Sequence, residues 1–279
     1  GMGSLGGREL SYSSDADVLV VHRPHEGVPD DVAQRQGVAV VQELVRLMAA
    51  TAPDPLLLDA DLRPEGKNGP LSRSLGSYAA YYERWALTWE FQALLRARPV
   101  AGDPDLAADF LALVDPLRHP AAGLDPSDAR EIRKLKARVE AERLPRGADP
   151  RTHLKLGRGG LTDVEWTVQL LQLRHAATVP GLRATGTVEA LDAAHAAGLV
   201  GDEDHETLRT AYRFATALRN ANMLWRGRPG DAVPPDVRDA DGVGRIVGRE
   251  PGTGSGLAEA YLRQARRARA VVERLFYEA

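Results

Sequence analysis

The chain has no cysteine among its 279 residues. That excludes a disulfide framework and a thiolate zinc site, and it fits a reducing cytoplasm. Long apolar runs are missing too: no stretch reaches the roughly 18 residues of a membrane span. The glycine-rich start is not the basic-then-apolar pattern of a signal peptide. No membrane partner is therefore expected. Charge of one sign is not in excess, since the formal net charge is -3. That balance gives no general reason to expect nucleic acid as a partner. No repeat of about 20–50 residues is visible. Aromatic residues are scarce at 5%, yet Tyr78, Tyr81, Tyr82, Trp85, Trp89 and Phe91 stand together.

What is present begins with Gly6-Gly7-Arg8-Glu9-Leu10-Ser11-Tyr12-Ser13-Ser14-Asp15-Ala16-Asp17, followed by Val18 to Val21. Strand side chains alternate faces, so Asp15 and Asp17 point to one side. The apolar run predicts a buried strand. Two acids at the mouth of such a strand are costly without a cation, and a divalent metal explains them. Glycines let backbone N–H groups approach phosphate oxygens, and hydroxyls add donors. Gly6, Gly7, Ser13 and Ser14 are therefore candidate phosphate ligands. Acids beside a phosphate loop are the makings of nucleotidyl transfer. Arg8 and Glu9 are expected to pair and shape the loop. The start, Gly1-Met2-Gly3-Ser4, reads as the inside of a loop and predicts an excised piece of a longer chain.

A helix is predicted over 31–50, with Val38, Val41, Val45 and Met48 at helical spacing. Leu56 to Leu62 reads as a second buried strand. Leu57, Asp59 and Asp61 share one face, and alternation does not separate Asp59 from Asp61 as the third carboxylate. A basic, glycine-rich loop follows, in which Arg63 and Lys67 are within reach of phosphate charge. Residues 74–97 read as an aromatic helix broken once, its aromatics mostly core. Arg96 and Arg98 end it, suited either to the helix dipole or to substrate. Asp125-Pro126 caps a helix to about Arg143. The basic run 130–138 reads as a solvated helix face.

Residues 153–156 are a candidate short strand. Thr162 and Glu165 predict a capping box, and Asp163 a first-turn dipole contact. Lys155 has no evident partner. The histidines His22, His25, His153 and His175 show no metal-ligand spacing. Helices follow over 187–197, 203–225 and 256–277. Strands and acids thus occupy the first hundred residues and helices the rest. This predicts an α+β catalytic domain over 1–103, with strand 153–156 returning to its sheet, and an all-α helical bundle over 104–279.

Four motifs in order resemble glutamine synthetase adenylyltransferases. They are Gly6-Gly7-Arg8-Glu9-Leu10 with Ser13-Ser14-Asp15-Ala16-Asp17; Asp59-Ala60-Asp61-Leu62-Arg63-Pro64-Glu65-Gly66; Trp89-Glu90-Phe91-Gln92-Ala93-Leu94-Leu95-Arg96-Ala97-Arg98; and Lys155 with Gly159-Gly160-Leu161-Thr162-Asp163-Val164-Glu165-Trp166. The resemblance covers most of the chain. It implies a polymerase-β-like nucleotidyltransferase fold with a small mixed sheet and a helical domain. Family members carry two such halves, one attaching AMP to a tyrosine of glutamine synthetase and the other removing it by phosphorolysis. The fourth motif and the ending Phe276-Tyr277 resemble the C-terminal, adenylylating half.

By resemblance, Asp15, Asp17 and Asp59 would hold two Mg²⁺ ions, and Asp59 could accept the tyrosine proton. Asp61 is the second choice for that role and for the third metal ligand. ATP would be the nucleotide substrate. Partners implied are glutamine synthetase and a PII-type signalling protein. One departure stands out: Asp61 occupies a position where the family usually has arginine. The alternatives are phosphorolytic deadenylylation and a non-catalytic docking module for the same partners. A relative that uridylylates a signalling protein is disfavoured by the third motif.

Overall fold

The computed structural model describes residues 1–12, 14–50 and 55–278. Ser13, a predicted phosphate ligand, lies outside the described residues, as do residues 51–54. The chain divides into two compact units, residues 1–10 with 14–121 and residues 11–13 with 122–279.

The first unit holds every strand of the described residues. Its elements are α1 (Gly3–Gly6), β1 (Ala16–Asp17), β2 (Val21–His22), α2 (Asp30–Ala49), β3 (Leu58–Asp59), β4 (Arg73–Ser74), α3 (Leu75–Arg84), α4 (Thr88–Leu94) and α5 (Pro104–Arg118). β1 pairs with β3 and β2 with β4, both in parallel. The expected mixed sheet is thus two short parallel ladders among the described residues. With so little sheet to cover them, the predicted buried strands are only partly buried. Ala16 is 1% exposed, whereas Leu56 and Leu57 are exposed. α2 buries Ala33 and Val41, while Val45, placed on its inner stripe by periodicity, is exposed with Val40, Leu44 and Leu47.

The core of this unit gathers Met2, Tyr78, Tyr82, Leu94, Ala97, Phe110 and Val114. Tyr78 meets the edge of Phe110 at 5.2 Å between ring centroids. The aromatic cluster is therefore core in its tyrosines, but Trp85 is exposed. α5 begins where Asp103 accepts a bond from the Leu106 N–H and Pro104 supplies a preset φ. Because Phe110 and Val114 of α5 complete the first core, the boundary falls after Ala121 rather than at residue 103.

The second unit is helical: α6 (Pro126–Glu142), α7 (Leu161–His175), α8 (Thr187–Ala196), α9 (Asp202–Arg226), α10 (Val237–Ile246) and α11 (Leu257–Val272). Asp125 caps α6 as expected, accepting from the Ser127 N–H. The apolar stripe of α11 is also as expected, with Tyr261, Ala265, Ala268 and Val272 buried. Two expectations fail here. Residues 153–156 join no sheet; His153 forms an isolated antiparallel bridge with Ala232 in the same unit. The capping box does not form either. Gly160 is the N-cap, and the Thr162 hydroxyl donates to the Lys155 carbonyl at 2.7 Å. The preceding loop folds back on α7 and supplies that nearer acceptor.

Candidate active site

The parallel register of β1 and β3 sets Asp17 directly opposite Asp59. The ladder is held by Ala16 N–H to Leu57 O and Val18 N–H to Asp59 O, at 2.8 and 2.7 Å. Side chains on paired strands at one register position share a face, but the Asp17 carboxylate lies against Gly3, where a Cβ would stand 2.0 Å from its Oδ2, and Asp17 is not among the residues lining the cleft beside Asp59. Asp15 shares that face, two residues earlier, and is exposed. Asp61 differs from Asp59 in setting. Its amide donates to Asp59 Oδ1 at 2.7 Å, closing a turn beyond the strand. Its own carboxylate lies 3.5 Å from Arg63 and 3.4 Å from Lys67.

Beside this ladder lies a cleft of about 550 Å³, lined by Asp15, Asp59, Asp61, Arg63 and Lys67, with Val41 of α2 in its wall. That volume lies within the range of small-molecule sites. The five polar groups come from β3, its following loop and the approach to β1. Carboxylate oxygens are the donors a hard divalent cation such as Mg²⁺ takes, so the donor chemistry fits a metal. Among the described residues, no three acids or imidazoles stand together closely enough to grip one.

The two basic residues behave differently. Arg63 is 7% exposed. Its guanidinium donates to three carbonyls, Ala60 and Gly69 at 2.8 Å and Lys67 at 3.2 Å. It therefore holds the shape of the loop. Lys67, with its side chain 82% exposed, keeps its ammonium in solvent; an ion pair that open is worth little and exchanges readily.

The glycines serve the backbone. Gly6 and Gly7 are buried at the end of α1. A Cβ on Gly6 would stand 1.8 Å from the Arg96 carbonyl oxygen. Arg98 donates to Gly6 O at 2.9 Å and to Leu5 O at 2.8 Å. Arg96 pairs with Glu9 at 2.8 Å. Glu9 thus takes Arg96 as an ion-pair partner, whereas Arg8 was the expected one. Both arginines at the end of α4 are engaged in fixing the glycine loop. Neither the dipole nor the substrate reading anticipated that, because the two segments lie some ninety positions apart. Ser14 is half-buried on the approach to β1.

The second unit hides a polar centre that the pattern of α6 concealed. Lys136, read as solvated, is 1% exposed and bonds Asp163 and Glu140. Asp163 also accepts from the Gly159 N–H at 2.7 Å and from Arg269 at 3.1 Å. Arg269 reaches Glu140 and Glu273 as well and stacks over the Tyr277 ring. Burial and the nearby Glu140 carboxylate push the Tyr277 phenol up to about 12.

Comparison with known proteins divides the chain at nearly the same place. Residues 1–113 match the family glutamate-ammonia ligase adenylyltransferase. Residues 133–279 match the family GlnD PII-uridylyltransferase. Similar proteins include one from Streptomyces avermitilis, 59% identical over 280 residues, and one from Streptomyces coelicolor, 57% identical over 278. A third, from Mycobacterium avium, is 54% identical over 277 residues. The alignments cover 100%, 99% and 99% of this chain and 28% of each relative. Each of the three carries the name bifunctional glutamine synthetase adenylyltransferase/adenylyl-removing enzyme.

Proposed function

Because the chain belongs to the glutamine synthetase adenylyltransferase family, we propose that it transfers AMP from ATP to a tyrosine of glutamine synthetase. The observation that carries this reading is the 550 Å³ cleft lined by Asp15, Asp59 and Asp61, with Asp17 in parallel register opposite Asp59. The chain spans 28% of the length of the relatives it matches, and this reading assigns it the adenylylating half.

Asp15, Asp17 and Asp59 would hold two Mg²⁺ ions, Asp15 turning in from its exposed position. The ions, when bound, supply positive charge to the attacking and leaving oxygens of an in-line displacement. The protein's own part is to position groups and balance charge. The tyrosine oxygen attacks the α-phosphorus of ATP, the bond to the bridging oxygen of the β-phosphate breaks, and pyrophosphate leaves. Asp59 takes the phenol proton. Its amide contact from Asp61 fixes the carboxylate's orientation. Lys67 turns from Asp61 to the triphosphate. Arg63 keeps the loop that presents Lys67, Gly6 and Gly7, whose N–H groups are bonded to Met2 O and Gly3 O, shape the turn before β1, and Ser13 and Ser14 would offer hydroxyl donors to the phosphates. Asp61 is the alternative metal ligand.

The names of the relatives also include adenylyl removal, so phosphorolysis at the same acids is the second reading. The match of residues 133–279 to a PII-uridylyltransferase family favours a PII-type protein as regulatory partner. A cytoplasmic setting follows from both partners. No described helix is long and apolar enough to cross a membrane.

The test is incubation with glutamine synthetase, Mg²⁺ and ATP labelled in the α-phosphate. Label should enter the synthetase, and Asp17→Asn or Asp59→Asn should lower the rate by roughly a thousandfold, the equivalent of about 4 kcal/mol of lost charge stabilisation. Asp61→Asn should cost much less. Equal rates for the parent and Asp17→Asn would sink the enzyme reading and favour a docking module. ADP released from modified synthetase with phosphate would establish the reverse direction.

A further inference from the structure

A second cleft, of about 290 Å³, lies wholly within the helical unit. One wall is a single face of α11 and its continuation: Leu262, Ala265, Arg266, Arg269, Ala270 and Glu273. The other is the loop carrying Arg151 and Arg158. Its lining thus sets four guanidinium groups against one carboxylate. The loop is pinned in place. Gly159 adopts φ +73, and a Cβ there would stand 1.9 Å from the Ala265 carbonyl oxygen. Its amide is tied to the buried Asp163 at 2.7 Å. Arg158, next in the chain, is therefore delivered to the cleft by backbone that cannot retreat.

The four arginines differ in what holds them. Arg269 is engaged with Asp163, Glu140 and Glu273 and forms part of the base. Arg151 pairs with Asp149, and Arg266 with Glu259, but their side chains are 76% and 63% exposed. Ion pairs that open contribute little and yield to a better acceptor. Arg158 is exposed, and its guanidinium has no hydrogen-bond or ion-pair partner among the described residues. Three guanidinium groups free to turn thus surround a small cavity whose floor includes Leu262, Ala265 and Ala270. An apolar floor strengthens charge–charge attraction at the rim.

We propose that this cleft binds a small phosphate-bearing anion through Arg158, Arg151 and Arg266. Guanidinium forks match phosphate oxygens in pairs. A tetrahedral phosphate offers enough oxygens for several forks at once, which a single carboxylate does not. The volume suits pyrophosphate or a mononucleotide. The site is independent of nucleotidyl transfer at the acidic cleft and contains none of its residues.

Calorimetry on the whole chain tests it, with sodium pyrophosphate and AMP titrated separately in metal-free buffer. Without metal the acidic cleft repels anions, so its contribution is suppressed. Saturable binding of one equivalent, weakened by added salt, is expected for at least one probe. Which probe binds tells an inorganic phosphate from a nucleotide. Arg158→Glu should weaken binding roughly tenfold or more, and Asp17→Asn should leave it intact. Arg266→Glu carries the same expectation should the first variant fail to fold by circular dichroism. Absence of saturable binding to the parent, unchanged binding in the folded Glu variants, or equal competition by malonate would each overturn the proposal. Loss of AMP transfer in Asp17→Asn with phosphate binding retained separates this site from the catalytic one.

Discussion

Asp163 has a side chain 1% exposed, yet it carries a charge. Burial alone would raise its pKa; Lys136, the Gly159 N–H and Arg269 together hold it below the ordinary carboxylate value of 3.8. A depressed carboxylate contributes stability that is present above its unfolded pKa and lost as pH falls through the folded one. Removing the charge at neutral pH has a similar effect. Asp163→Asn keeps the shape but leaves Lys136 with Glu140 alone and Arg269 with one acid fewer. Breaking a buried pair on one side costs about 3–5 kcal/mol, which a urea titration will read as a lower midpoint. Asp163→Leu combined with Lys136→Met should recover much of that loss, because no unpaired charge then stays buried. A double variant no more stable than Asp163→Asn would refute this account of the pair. None of this was legible in the sequence. The partners of Asp163 lie 27 and 106 positions away, and a basic helix run looks the same whether its lysine is solvated or buried.

Helices whose starts are written in local chemistry were legible at the scale of the element. Asp125 with Pro126 marks α6 because the cap and the preset φ act within three residues. The placing of Asp17 and Asp59 on strands was legible for a similar reason, since alternation along β1 and β3 is a local rule. What periodicity could not supply was register: it left Asp59 and Asp61 equivalent, whereas the pairing of Asp59 with Asp17 and the turn that ties the Asp61 amide to Asp59 distinguish them. Nor could it assign α5 to a unit, because an amphipathic helix after a loop suits either side. Phe110 decides that by packing edge-on against Tyr78. Phe110→Ala should therefore destabilise the first unit by about 3–5 kcal/mol through cavity formation. Unfolding followed through a single tryptophan at Trp89 should shift to lower urea, and that followed through Trp166 should not. A shift confined to Trp166 would place α5 with the helical unit instead.

Across the whole molecule the two units differ in the balance of their titrating groups. In the helical unit His153 is buried and its Nδ1 accepts from the Leu156 N–H at 3.0 Å, which requires the neutral ring. Burial holds its pKa below the ordinary 6.5, and His175 is lowered likewise by burial and by Arg174. For both, the folded state binds fewer protons than the unfolded one below pH 6.5, so stability falls as pH falls. Asp163 adds a loss of the same sign further down. In the first unit the signs oppose. Burial lowers His22 and, with Arg98, lowers the Gly1 ammonium to about 6, so both cost stability as pH falls, but burial raises Glu90 above its ordinary 4.5. A raised carboxylate favours the folded state at low pH and disfavours it as pH rises through the folded value. Once the Gly1 ammonium is protonated in both states, below about pH 5, acid should therefore weaken the helical unit more steeply than the strand-bearing one. Single-tryptophan variants retaining Trp89 or Trp166 report the two units separately in urea titrations from neutral pH downward. The Trp166 midpoint should drop faster below about pH 5, where the Gly1 ammonium no longer adds to the fall of the Trp89 unit. His153→Asn, whose Oδ1 can accept the same Leu156 bond without titrating, should flatten the upper part of that fall. Midpoints that fall in parallel below about pH 5, or a Trp89 midpoint that falls the faster there, would show that groups other than these govern the acid response.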